Sequence, residues 1–269
     1  MPDIHLAHIA LSLGLGLFIG LVLALTGAGG SILAIPLLSF CLNLSLNQAA
    51  PIALMAVLIA SIAGTIQGLR LGIVRYRTAI LIAISGVFFA PLGVWTARYL
   101  PPRFLSISFL VVLLVVAWSM WRQSAQTSTL ENKTSTVCSV NPATSRVFWN
   151  AACTKTLMLT GALTGFLSGM LGVGGGFVLI PSLNKVTDFS MQAVIATALF
   201  AIALVSIVSI FSYSVHADIN SAIAVPFIFG TVSGLFIFRN VGEKVSKKFS
   251  QRSFALLAVF AALLMLLKF

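Results

Sequence analysis

The chain has 269 residues, of which 59% are apolar and only 8% charged. About a quarter of a soluble domain is charged, so this chain lacks the side chains to face water on all sides and belongs in lipid. Its formal charge of +11 would suit nucleic acid in a soluble protein. Here the Lys and Arg residues fall mostly between apolar runs, as in cytoplasmic loops, and only Lys244 to Arg252 forms a cluster, so nucleic acid is set aside as a partner.

In chain order, apolar runs cover residues 8–26, 28–43, 47–69, 78–97 and 103–121, then 155–171, 173–186, 190–215, 219–239 and 253–269. Most approach the roughly 20 residues that span a bilayer as helix. The polar stretch 122–154, rich in Ser and Thr, divides the chain into a first repeat (1–121), a linker and a second repeat (155–269). The first run has no basic residues before it, so no cleaved signal peptide is expected. Cys41, Cys138 and Cys153 show no CxxC or other ligand spacing, which predicts neither a disulfide framework nor a metal site.

The repeat shows in a glycine-proline segment that occurs twice. Residues 27–36 read GAGGSILAIP and residues 172–181 read GVGGGFVLIP, an offset of 172 − 27 = 145. Gln48-Ala49 corresponds to Gln192-Ala193, and Gly93 with Arg98 corresponds to Gly234 with Arg239.

Charge sets the expected topology. The loop after the third run carries Arg70, Arg75 and Arg77 in the first half, but His216 and Asp218 in the second. After the fourth run the bias reverses: Arg98 and Arg103 against Arg239, Lys244, Lys247, Lys248 and Arg252. Under the positive-inside rule the halves are inverted. The predicted fold is therefore an all-α polytopic membrane protein of two inverted repeats, each with about five transmembrane segments including a short, broken Gly-Pro helix. The N-terminus lies outside and the linker in the cytoplasm. The alternative has eight spans, with the two glycine segments re-entrant and the repeats parallel.

Glycines allow left-handed backbone and close approach, and Pro36 and Pro181 remove a helical N–H, so both are predicted as helix breaks. Unwound backbone at membrane depth survives only where protein or a water-filled cavity satisfies it. A helix starting after the glycines presents free N–H groups and a positive dipole end to that cavity, which suits an anion. The candidate substrate-binding residues are Thr26, Gly27, Gly29, Gly30, Ser31 and Gln48 in the first half. In the second half they are Gly172, Gly174, Gly175, Gly176, Gln192 and Thr197. Asn43 and Asn47 are further candidates or turn residues. Gly14, Gly16 and Gly20, and Gly161, Gly165 and Gly169, read as helix-packing positions. No Asp or Glu falls inside a run, which disfavours a carboxylate proton relay and cation transport.

These residues resemble the sulfite exporter TauE/SafE family of bacterial membrane permeases. The resemblance spans nearly the whole chain and rests on the paired GAGGSILAIP and GVGGGFVLIP, each followed by a Gln-Ala span (QAAPIALM, QAVIATAL). The second copy matches better, with Ala198 where the family has Ser; the first departs at Pro51 to Leu54. The resemblance implies carriage of a small sulfur oxyanion or organosulfonate, such as sulfite or sulfoacetate, usually outward across the bacterial inner membrane. It implies no enzyme activity and no cofactor. The implied partners are a small anionic substrate and the lipid bilayer, and a homodimer stays open. Rival readings are a permease for a small carboxylate or inorganic anion, a membrane scaffold, and a membrane enzyme, for which only His5 and His8 approach a ligand pair.

Overall fold

A computed structural model of the chain describes residues 2–27, 30–126, 138, 150–214, 221–244 and 247–267. Gly29, His216, Asp218 and most of the linker lie outside the described residues, as do the side chains of Asp3, His5 and His8. Among the described residues there are ten α-helices. They are α1 (Pro2–Thr26), α2 (Ser31–Cys41), α3 (Leu46–Arg70), α4 (Tyr76–Tyr99), α5 (Pro102–Gln126), α6 (Ala151–Leu171), α7 (Gly176–Val186), α8 (Met191–Ser214), α9 (Ser221–Lys244) and α10 (Lys247–Leu267). Each matches one apolar run. Six of them, α1, α3, α4, α5, α8 and α9, are long and apolar enough to cross a membrane. The chain is a polytopic helical membrane protein, with a belt of exposed Phe, Leu and Ile that includes Phe88, Phe211 and Phe229.

The short helices α2 and α7 have 11 residues each, about 16 Å at 1.5 Å per residue, half the hydrocarbon thickness. Each turns back along the helix before it. Gly30 lies against Val22 and Leu23, and Gly175 lies against Thr164. The turns are made by glycines in left-handed backbone, at φ +85 for Gly27 and at φ +72, +77 and +69 for Gly172, Gly174 and Gly175. Pro36 and Pro181 sit inside the short helices. They therefore do not make the breaks, as the sequence suggested; a proline only leaves the carbonyl four residues earlier without its helical donor.

Glycine contacts give the helix directions. Gly64 meets Leu199 and Gly68 meets Ala196, so α3 and α8 cross in opposite directions. Gly16 meets Phe227 while Gly20 meets Thr231 and Leu235, so α1 and α9 run together. Gly86 meets Gly161 and Gly165 while Gly93 meets Phe166 and Met170, so α4 and α6 run together. Arg75 touches Thr197 and Gly86 touches Val205, which aligns α4 with α8. The ends of α1 and α3 meet the start of α8 around one cavity. Thus α1, α3 and α9 point one way, and α4, α6 and α8 the other.

Glycine seams hold the α1–α9 and α4–α6 pairs. A Cβ on Gly165 would overlap the Gly86 carbonyl, one on Gly169 the Ala90 carbonyl, and one on Gly16 the Phe227 carbonyl. Lipid offers no hydrophobic drive between helices, so close backbone approach supplies the packing. Gly14 differs from its expected role: it is exposed, and a Cβ there meets nothing within 4 Å.

The expectation of no disulfide is overturned. Cys138 and Cys153 are bonded, with Cα atoms 5.2 Å apart, and both are fully buried. The bond joins one linker residue to the first turn of α6, and the Cys138 N–H donates to the Val186 carbonyl at 3.0 Å. Such a pairing depends on how the chain folds back, which no local cysteine spacing encodes. Cys41 is free.

The seams give a test. Gly165→Val forces apart two touching backbones and should lower the melting temperature sharply, or abolish folded protein, in fluorescence-detected gel filtration; overpacking of this kind costs about 1–3 kcal/mol or more. Gly14→Ala should leave the melting temperature unchanged or raise it, because alanine is the better helix former.

Candidate functional site

A cavity of about 340 Å³ lies where α1 and α3 end and α8 and α10 begin. Its walls are mostly Leu, Ile, Ala and Gly. Among the described residues the polar lining is Thr26, Ser61, Gln67, Gln192 and Gln251, with no Asp, Glu, Lys or Arg. The glutamine amides in this apolar chamber can donate hydrogen bonds to a ligand while adding no charge of their own, whereas the Thr26 and Ser61 hydroxyls donate to the Val22 and Leu58 carbonyls at 2.7 and 2.9 Å.

The first glycine break forms one wall. Thr26 and Gly27 line the cavity. The Thr26 hydroxyl donates to the Val22 carbonyl at 2.7 Å and accepts the Gly30 N–H at 3.1 Å. One side chain thus satisfies a backbone donor that the turn strands. Gly30 and Ser31 are buried behind that wall.

The sequence candidates do not all converge. Gln192 lines the cavity. Gln48 is exposed, and its side-chain oxygen accepts the Ser45 N–H at 3.2 Å; it caps α3 as the third residue of a capping box. Thr197 is fully buried and accepts the Arg75 N–H at 3.1 Å, so it anchors the connection between α3 and α4. The Arg75 guanidinium sits 5.8 Å from the Phe189 ring centre. Asn43 takes φ +52, which fits its turn reading.

Gly172, Gly174, Gly175 and Gly176 are buried outside the cavity lining. The α7 start has no side-chain cap, and the N–H groups of Gly176 and Phe177 precede the first helical acceptor. The Val178 and Leu179 N–H groups both reach the Gly175 carbonyl, at 3.1 and 3.2 Å. Three buried hydroxyls belong to this neighbourhood. Ser206 Oγ lies 3.4 Å from where a Cβ on Gly174 would stand, and the Thr164 methyl and carbonyl pack on Gly175. Ser168 occupies the last turn of α6, where its carbonyl accepts the Gly172 N–H at 2.9 Å. None of these hydroxyls has a hydrogen-bond partner in the protein.

Val57 and Ile202 separate the two regions. Both line the cavity, and both lie against Gly174 on the other side. Their separation, 202 − 57 = 145, equals that of Ser61 and Ser206, 206 − 61 = 145, and that of the two glycine segments. Ser61 faces the cavity while Ser206 is sealed behind the wall. Sequence reasoning missed Ser61, Gln67, Gln251, Thr164, Ser168 and Ser206. The shared offset was the available signal for the two serines.

Comparison with known proteins agrees with this architecture. The family model described as Sulfite exporter TauE/SafE matches residues 12–265. A "Probable membrane transporter protein" of Xylella fastidiosa (strain Temecula1) is 28% identical over 94% of this chain and 92% of its own length. The "Probable membrane transporter protein YunE" of Bacillus subtilis is 18% identical, covering 90% of each chain. A "Probable membrane transporter protein" of Methanocaldococcus jannaschii is 24% identical over 87% of this chain and 86% of its own. No solved structure matches.

Thr26→Val should remove the side-chain acceptor of the Gly30 N–H. The expected result is a drop in the melting temperature equivalent to about 1 kcal/mol, the typical cost of losing a capping hydroxyl. An unchanged melting temperature would show that the Gly30 N–H finds another acceptor. The chain belongs to the sulfite exporter TauE/SafE family and is a multi-pass membrane transporter.

Proposed function

We propose that the chain is a secondary transporter for a small anion, a sulfur oxyanion or organosulfonate such as sulfite or sulfoacetate, exported by alternating access. The observation that carries this reading is the chemistry of the cavity: amides and hydroxyls beside a glycine-broken helix, with no carboxylate among its described lining residues. The family description, a sulfite exporter, supports the sulfur-anion class.

The halves act as inverted repeats in this reading. Corresponding helices (α1 and α6, α3 and α8, α4 and α9) run in opposite directions, which favours inversion over parallel repeats with re-entrant segments. The face with the α3–α4 connection carries Arg70, Arg75 and Arg77, and Lys155 and Lys185 lie at helix ends there; the other face has Arg98 and Arg103. The first face, with the linker, is therefore the cytoplasmic one.

Export needs no embedded acid. An inside-negative potential drives an anion outward by about 2.3 kcal/mol per charge per 100 mV. In proteoliposomes, sulfite or sulfoacetate efflux should saturate with concentration and rise when a potassium gradient with valinomycin makes the interior negative. Absence of saturable flux for every sulfur anion, carboxylate and halide tried would refute the transporter reading of the cavity. Flux of carboxylates alone would reassign the substrate class.

A further inference from the structure

We infer that the buried hydroxyls of Ser206, Thr164 and Ser168, with the N-terminus of α7, form a closed oxyanion half-site behind the Val57–Ile202 wall. The inference rests on the anion-transport reading and names the residues that hold the substrate in the sealed state. Its first support is an uncapped helix start, where the Gly176 and Phe177 N–H groups and the helix dipole favour negative charge. Its second is independent of the helix. Ser206, Thr164 and Ser168 are 0%, 1% and 0% exposed, and none has a partner within the protein. Buried hydroxyls are normally hydrogen-bonded, and serine or threonine in a helix usually finds the carbonyl four residues back. On the same helices Ser209 does so to Val205 at 3.0 Å, and Thr160 to Thr156 at 2.8 Å. Of the three, Ser206 has its Oγ beside Gly174, Thr164 packs on Gly175, and Ser168 accepts the Gly172 N–H through its carbonyl.

The donor set identifies the ligand class. Hydroxyls and backbone N–H groups can all donate to oxygen, which suits a compact oxyanion stripped of water. Glycine keeps the cradle shallow: a Cβ on Gly174 would stand 2.7 Å from Val57 Cγ1, and one on Gly175 would meet Thr164. The first half lacks the α6 hydroxyls. At the 145-residue offset Thr164 and Ser168 correspond to Ile19 and Leu23, and only the pair Ser61 and Ser206 is shared. The open cavity therefore offers the glutamine amides, with Thr26 and Ser61 bonded to backbone carbonyls, and the closed half-site offers three hydroxyls without partners. An anion passing Val57 and Ile202 moves from one serine to its counterpart.

The test uses the purified full chain in detergent, with sulfite and sulfoacetate as probes and affinity read from titrated thermal stabilisation. Wild type should be stabilised by at least one of them. Ser206→Ala and Thr164→Val should each weaken that affinity roughly ten- to a hundredfold, as expected for losing a hydrogen bond to a charged group. Ser209→Ala, one turn along the same helix with a satisfied hydroxyl, should leave it unchanged. Ser206→Cys keeps the shape with a poor donor and should show the same loss even where the alanine variant is too unstable to titrate. Wild-type binding with undiminished affinity in both Ser206 variants and Thr164→Val overturns the half-site while leaving the transporter reading intact; altered melting temperature with unaltered affinity would identify a hydration site only. Equal losses in the Ser209 and Ser206 variants would overturn it too. No stabilisation of wild type by either anion removes the reading on which it rests.

Discussion

In hydrocarbon a backbone N–H without an acceptor has no water to turn to, and this constraint organises the whole molecule. Eight helices satisfy it along their length. The two glycine turns cannot, because left-handed glycines end one helix and start another within a few residues. At the first turn Thr26 supplies the missing acceptor for Gly30. At the second, the α7 start has no cap, and hydroxyls with no partner of their own surround it. Three of the buried side-chain groups without a partner, Thr164, Ser168 and Ser206, thus lie on the two helices packed around that turn.

The glycine seams make this arrangement possible. α1 lies on α9 and α6 on α4 with backbones in contact. These rigid pairs carry the two turns, while α3 and α8 cross between them. Tyr213 of α8 donates to the Gly169 carbonyl at 2.9 Å, and Arg98 of α4 donates to the Ser212 carbonyl at 2.7 Å, tying α8 to the α4–α6 pair at that end. Val57 and Ile202 lie on the α3–α8 crossing, which is where the proposed alternating access requires one pair to move against the other. Small shifts in packed interfaces give discrete arrangements because packed cores deform poorly.

The helices were legible in the sequence because lipid demands long apolar runs, and all ten runs became helices. The direction of charge bias was legible for the same reason. Side-chain roles were harder. Gln48 and Thr197 read as polar groups near a break, yet one caps its own helix and the other holds a connection; the difference lies in which face of the helix they occupy. Ser206 and Thr164 sat unnoticed within apolar runs, because a hydroxyl there usually bonds its own backbone. Only the fold, which brings α6, α7 and α8 together, shows that these do not. The Cys138–Cys153 bond was likewise invisible, since it depends on Cys138 lying beside the end of α7, where its N–H donates to Val186.

The central claim is that two pseudo-equivalent serines face opposite sides of one moving wall. The most direct measurement is alkylation of single cysteines, Ser61→Cys and Ser206→Cys, in a background without Cys41, Cys138 and Cys153, using an impermeant maleimide applied to either face of oriented vesicles. The account predicts that the cysteine at 61 reacts from the face bearing the α3–α4 connection and the one at 206 from the opposite face, each slowed by saturating sulfoacetate, which does not itself react with the maleimide. Reaction of both from the same face, or neither from any face while transport persists, would contradict it.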